Sequence, residues 1–180
     1  MFNRAGMLAS DGRCKTLDSS ANGYVRGEAG VAMLIDIASS TANASVVLKS
    51  TAVNQDGRSS ALTAPNGPAQ QIVMRQAMAS ASISSDLLSF IQMHGTGTPL
   101  GDPIEIGAIA AVHKKGGVIS LMAGKTSYGH TEPSAGLLGV FHAYKASLSR
   151  QQQPIMHLSE VKSTRRRLKR KREVTRYLRY

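Results

Sequence analysis

The apolar positions of the chain fall into short runs separated by glycine, proline and small polar residues. VAMLIDI (31–37), LLSFIQM (87–93) and VISLMA (118–123) have strand length, and ASVVLKSTAV (44–53) is rich in β-branched residues and ends at the turn signal NQDG (54–57). AQQIVMRQAMASA (69–81) reads instead as a helix, because Ile72, Val73, Gln76, Ala77 and Ser80 keep helical spacing and prolines stand only on its N-terminal side. Further helices are expected over about 103–113 and over 134–149, with KTSYGHTE between strand and helix as a loop. Strand, helix, strand, helix, strand, helix in this rhythm predicts an α/β layered fold.

Two strand ends concentrate the candidate chemistry. After LLSFIQM comes HGTGTPLGDPIE, in which Asp102 is placed to cap the next helix, Pro103 suits its first position and Glu105 stands three residues on, as in a capping box. Gly95, Gly97 and Gly101 let the backbone bend, and Thr96 and Thr98 offer hydroxyls. His94 sits at the C-terminal end of a buried strand, where α/β sheets bind ligands. After VISLMA the construction repeats, with Lys125 and His130 in the loop and Pro133 opening a helix. A single strand-end histidine is more often a structural group than a catalytic one. Two of them in matching loops read as one site. The glycines do not make a nucleotide site, since the loop lacks the G-K-[ST] ending of a phosphate loop and the spacing of the dinucleotide fingerprint. No metal is expected, because Cys14 is isolated and His113, His142 and His157 fall on helix or strand positions.

Charge changes the picture only at one end. The net charge is +11, but residues 161–180 hold ten Lys/Arg against the single acid Glu173, while residues 1–160 hold twelve against ten. The basicity therefore belongs to the tail VKSTRRRLKRKREVTRYLRY, open to three readings: a polyanion-binding or nuclear-localisation arm, a solvated end, or sequence foreign to the reading frame. Nucleic acid is not an expected partner except nonspecifically through this tail. The lone Cys14 excludes an internal disulfide and points to a reducing compartment, and no run approaches membrane-spanning length, so the cytoplasm is the expected location and a membrane is not.

HGTGTPLGDPIEIGA closely resembles the HGTGT-x-x-GDP-x-E signature of β-ketoacyl synthases, and GKTSYGHTEPSAGLLGV resembles their K-S-N-x-GHTE-x-x-AG loop. MLASDGRCKTLDSSANGYVRGEAGVAML resembles the segment that, in the polyketide-synthase type of this family, leads into the last strand of the first half. The resemblance implies a thiolase-like fold: residues 1–40 as the end of the N-terminal half, 41–159 as the C-terminal half, and 160–180 as a tail outside the pattern. It implies decarboxylative Claisen condensation of an acyl thioester with malonyl carried by an acyl carrier protein, in homodimers, with no cofactor bound by the domain and the substrates held on phosphopantetheine. By the same resemblance His94 and His130 would stabilise the charge formed as CO2 leaves. Lys125 would belong to their buried network with Glu132 as its ionic partner, and its place five residues before His130, as in the motif, favours this over a solvated loop lysine. Thr96 and Thr98 would bond the phosphopantetheine arm, and their hydroxyls could brace the turn at the same time.

The sequence also departs from the pattern. The family's cysteine nucleophile lies in a D-T-A-C-S-S-type elbow, which is not present, and Cys14 falls in the DGRCK segment, where it reads as an ordinary buried or loop thiol. Ser127 replaces the asparagine of K-S-N, Pro133 and Ser134 replace alanine-type positions, and the resemblance stops near residue 160. The expectation is a fragment of a ketosynthase, from a truncated gene product or a split enzyme, inactive without the missing N-terminal half. The alternative is a non-catalytic remnant or binding module with a polyanion-binding tail.

Overall fold

The computed structural model describes residues 6–37, 44–59, 64–113 and 118–161. Helices α1 (Gly67–Ser80), α2 (Gly101–Val112), α3 (Lys125–Tyr128) and α4 (Ala135–Ser149) alternate with strands β1 (Phe90–Gln92) and β2 (Ser120–Met122). The strands pair in parallel, with Ile91 opposite Leu121 and Gln92 opposite Met122. A further bond from Met93 N–H to the Met122 carbonyl, 2.8 Å, continues the pairing past β1. Parallel neighbours must be joined by a crossover, and α2 lies in that connection.

Local signals explain the helices. The Asn66 side chain caps α1 by accepting from Ala69 N–H at 3.1 Å, and Pro68 fills a first-turn position. α1 packs on α2, where Arg75 donates to the Ala111 carbonyl at 3.0 Å. Leu17, Met93, Ile109, Ala123 and Ile155 form the buried cluster beneath, so the core gathers both strand ends, α2 and two segments from opposite ends of the chain. Asp18 ties those segments together: its carboxylate accepts from the N–H groups of Ser20, Ser159 and Glu160. Burial works against the Asp18 charge, yet these bonds hold its carboxyl well below the usual carboxylate range.

Three expectations are corrected. Residues 31–37 and 44–53 are not strands. Both are apolar and exposed, with Leu34 at 100% and Ile37 at 97% relative exposure, and the second is fastened sideways onto α1, through Ser50 Oγ to the Ala77 carbonyl. β-Branched composition describes a surface suited to a sheet, and among the described residues no neighbouring strand completes one. Residues 125–128 are a helical turn rather than loop. Gly129, at φ 75°, closes it by donating to the Lys125 carbonyl at 2.9 Å, and a side chain there would press on the Arg26 backbone. Among the described residues no helix is long and apolar enough to cross a membrane. The basic tail from residue 162 onward lies outside the described residues.

Candidate active site

Because β1 and β2 are parallel neighbours, the chain leaves both at the same edge, and the loops that follow stand side by side. His94 comes two residues after β1, and Lys125 and His130 follow β2. The His94 and His130 rings meet edge to face with centroids 5.4 Å apart, and the Tyr24 ring lies 4.9 Å from that of His130. Both histidines line a cleft of about 710 Å³, together with Tyr24, Gln70, Thr96 and Thr98.

His94 is held at every polar backbone atom. Glu105 accepts from His94 N–H at 2.6 Å and from Gly95 N–H at 2.9 Å through its two carboxylate oxygens. Lys125, only 4% exposed, donates to the His94 carbonyl at 2.7 Å and lies 3.3 Å from the ring Nδ1. His130 is fixed by its N–H to the Val25 carbonyl, 2.7 Å, and its Nδ1 accepts from Glu132 N–H at 3.0 Å. An accepting Nδ1 in a neutral imidazole leaves the proton on Nε2, and the same holds for His94 opposite the lysine donor.

The electrostatics favour that neutral form. Burial against the cleft wall, with Lys125 and then His130 adding like charge, lowers the His94 pKa from 6.5 to about 4. Burial and Lys125 also push His130 down, with the Glu132 carboxylate opposing them. Lys125 itself is lowered by burial, with Glu105 working the other way, while burial raises Glu105. Near neutral pH the cleft therefore presents two uncharged imidazoles backed by a buried amine.

The predicted helix caps take different positions. α2 begins at Gly101, two residues earlier than an Asp102 cap requires, and the Thr98 hydroxyl accepts from Gly101 N–H at 3.1 Å. Asp102, 2% exposed, turns inward and accepts from Leu17 N–H at 2.8 Å and Gly97 N–H at 3.1 Å. Glu105 does not reach back to its own helix but clamps the His94 backbone. Both acids are thus recruited by unpaired loop N–H groups, and Asp102, in the first turn of α2, also gains from the positive end of the helix. Glu132 is not the partner of Lys125. It pairs with Arg26, Nε to Oε1 at 3.0 Å, because residues 24–27 run alongside His130.

Thr96 and Thr98 line the cleft as expected, their hydroxyls 3.3 Å apart. Thr16, which the pattern did not single out, holds the loop from below by donating to the Gly95 carbonyl at 2.7 Å. Gly97, at φ 74°, comes so close to the Lys15 backbone that a Cβ would lie 2.8 Å from its nitrogen, which explains this glycine. Tyr24 was also missed, and its aromatic ring within a glycine-bounded segment was the available signal. Cys14 is fully buried, its Sγ accepting from Val25 N–H at 3.3 Å, and burial pushes its pKa up.

A mixed α/β framework whose neighbouring strand ends bring together two histidines and a buried lysine defines a class, and comparison with known proteins identifies the family. Residues 45–159 match the family model "Beta-ketoacyl synthase, C-terminal domain", and residues 1–40 match "Beta-ketoacyl synthase, N-terminal domain". The chain belongs to the β-ketoacyl synthases. Within them it is a C-terminal portion of a ketosynthase domain of the polyketide-synthase type, with the thiolase-like fold.

Among its relatives is the polyketide synthase GfsB of Streptomyces halstedii, 42% identical over 81% of this chain and 3% of that protein. Another is erythronolide synthase EryA2 of Saccharopolyspora erythraea, 44% identical over 77% of this chain and 4% of that protein. Similar solved structures include the ketosynthase from module 6 of the bacillaene synthase of Bacillus subtilis 168, with a TM-score of 0.77, 26% identity, and coverage of 90% of this chain and 30% of that one. The oxazolomycin ketosynthase domain OzmH KS7 of Streptomyces albus JA3453 gives a TM-score of 0.78 at 26% identity, covering 89% of this chain and 29% of that one. The chain thus spans less than a tenth of these curated relatives and about 30% of the solved ketosynthases.

Proposed function

We propose that His94 and His130 form the decarboxylation side of an acyltransferase site that condenses an acyl thioester with malonyl-acyl carrier protein. One observation carries the reading: the two imidazoles meet at 5.4 Å on one cleft, each with Nδ1 facing a donor and Nε2–H left for a ligand. As CO2 leaves a malonyl thioester, the electron pair of the broken C–C bond moves toward the thioester carbonyl, whose oxygen becomes an enolate. Two fixed N–H donors stabilise such an oxyanion without having to reorient during the reaction. The enolate carbon then attacks an acyl-cysteine, forming the new C–C bond and expelling thiolate.

Lys125 acts behind His94 as a positioning residue, holding both its ring and its carbonyl. Glu132 supports His130 through its own backbone N–H and through Arg26. Thr96 and Thr98 take the phosphopantetheine arm of the carrier protein, and the domain binds no cofactor of its own. The nucleophile comes from outside these residues, since Cys14 is enclosed and its thiol is held protonated by burial. Alone, the chain is inactive in condensation. Its partners are the acyl carrier protein, the remainder of the ketosynthase domain and a second copy, in the cytoplasm, with nucleic acid met only nonspecifically through the basic tail.

The test is malonyl decarboxylation by the chain combined with a ketosynthase N-terminal half. His94→Ala and His130→Ala should each lower CO2 release by about a hundred-fold, as loss of one oxyanion donor does elsewhere. Acyl label on Cys14 followed by condensation in the chain alone would contradict the reading.

A further inference from the structure

The cleft wall contributed by α1 holds a group that none of the roles above uses. Gln70, in the first turn of α1, lines the same cleft as His94, His130, Thr96 and Thr98. Its Oε1 is buried and has no hydrogen-bond partner among the described residues. A buried carbonyl oxygen without a donor is costly and uncommon in folded proteins, and it marks a place where something else supplies the donor.

The neighbouring groups restrict what that donor is. Thr96 and Thr98 hydroxyls engage each other, and the Thr98 oxygen also accepts from Gly101 N–H. Asp56, on the same cleft, is an acceptor already receiving Asn66 N–H at 3.1 Å. This wall thus carries a carboxylate and an unused carbonyl, which disfavours an anion and suits a neutral N–H. The terminal torsion of a glutamine is broad, so the amide can turn toward a ligand without leaving its rotamer.

We infer that Gln70 is a positioning residue that accepts a hydrogen bond from an amide N–H of a slender, amide-bearing thioester arm lying in the cleft. This rests on the proposed placement of that arm beside Thr96 and Thr98. It adds a fixed point on α1 to the hydroxyls on the loop after β1, so that the arm is gripped from two elements. The arm's amide then sets how deep the thioester sits relative to His94 and His130.

The probe is pantetheine, which carries two amides, compared with analogues in which each amide N–H in turn is replaced by an ester oxygen. Binding to the full chain is followed by NMR. Gln70→Leu should weaken pantetheine about five-fold, the cost of one neutral hydrogen bond, and leave one ester analogue unaffected. Gln70→Glu, which keeps an acceptor, should bind within about two-fold of the parent. The Gln70 side-chain amide resonances should shift on adding pantetheine and stay still with that analogue. Thermal unfolding of both variants should match the parent, and Thr98→Val should weaken every ligand.

Equal weakening of all ligands by Gln70→Leu, or no weakening by it, overturns the Gln70 assignment while Thr98→Val still upholds the arm in the cleft. Pantetheine binding insensitive to both Thr98→Val and Gln70→Leu, or no binding, overturns the arm placement and the Gln70 role with it.

Discussion

The strand ends that carry the site and the apolar segments at 31–37 and 44–53 share a composition but not a fate. Phe90–Gln92 and Ser120–Met122 pair with each other, and helices α2 and α4 lie beside them in sequence. Leu34, Ile37 and Val53 are almost wholly exposed, and their segments pair with nothing described. The difference is one of neighbours. A strand is stabilised by cross-strand pairs and by what covers its faces, so equal propensity gives structure in one place and an open apolar surface in another. His94, Lys125 and His130 are held by the paired region together with residues 14–27 tucked against it.

That contrast can be broken most easily at Asp102. Asp102→Ala removes a buried carboxylate that accepts from Leu17 and Gly97 N–H, leaving these donors unsatisfied, and should cost about 3 kcal/mol in urea unfolding. A loss near zero would mean the loop and residues 14–18 are not held together as described. Glu105→Gln should cost less, about 1–2 kcal/mol, since the amide oxygen still accepts from one backbone N–H and only the other is left without an acceptor. Its signature should be weaker amide-exchange protection at His94 and Gly95.

A pH titration of stability sharpens the same comparison. His94 titrates lower in the folded protein, about 4, than in the unfolded chain, near 6.5, so between these values the unfolded state binds more protons. Stability from this group is complete above about pH 6.5 and is lost as pH falls through about 4. His94→Gln should flatten that part of the curve. The smallest effect belongs to the open segments: Leu34→Ser and Ile37→Ser should change unfolding free energy by less than about 0.5 kcal/mol, because these side chains are already in solvent. A loss above about 1 kcal/mol would show that the segment is covered in solution.

Much of the paired region was legible in the sequence because its signals are local. The helix over 69–81 was found two residues late at its start, where Asn66 and Pro68 mark the true beginning. His94, Lys125 and His130 were each identifiable as strand-end residues, the matching loops joined them into one site, and the motif resemblance gave them roles. What could not be read was which donor each acid would choose. Asp102 and Glu105 have ideal spacing for a capping box, yet loop N–H groups contributed by residues 17, 94, 95 and 97 compete for them and win. The choice of Arg26 over Lys125 by Glu132 likewise depends on a segment more than a hundred residues away in sequence. Strand failure at 31–37 and 44–53 has the same origin, since no pattern within a segment reports the absence of its neighbour.

The central claim is that the cleft presents two neutral imidazoles with Nε2–H free, one of them tuned by Lys125. Heteronuclear NMR of the histidine ring nitrogens near neutral pH, repeated in Lys125→Met, tests it directly. The expected result is Nε2-protonated neutral rings for His94 and His130, a His94 pKa of about 4, and an upward move of that value in Lys125→Met. A His94 that titrates near 6.5 and ignores the lysine substitution, or a ring protonated on Nδ1, would contradict it.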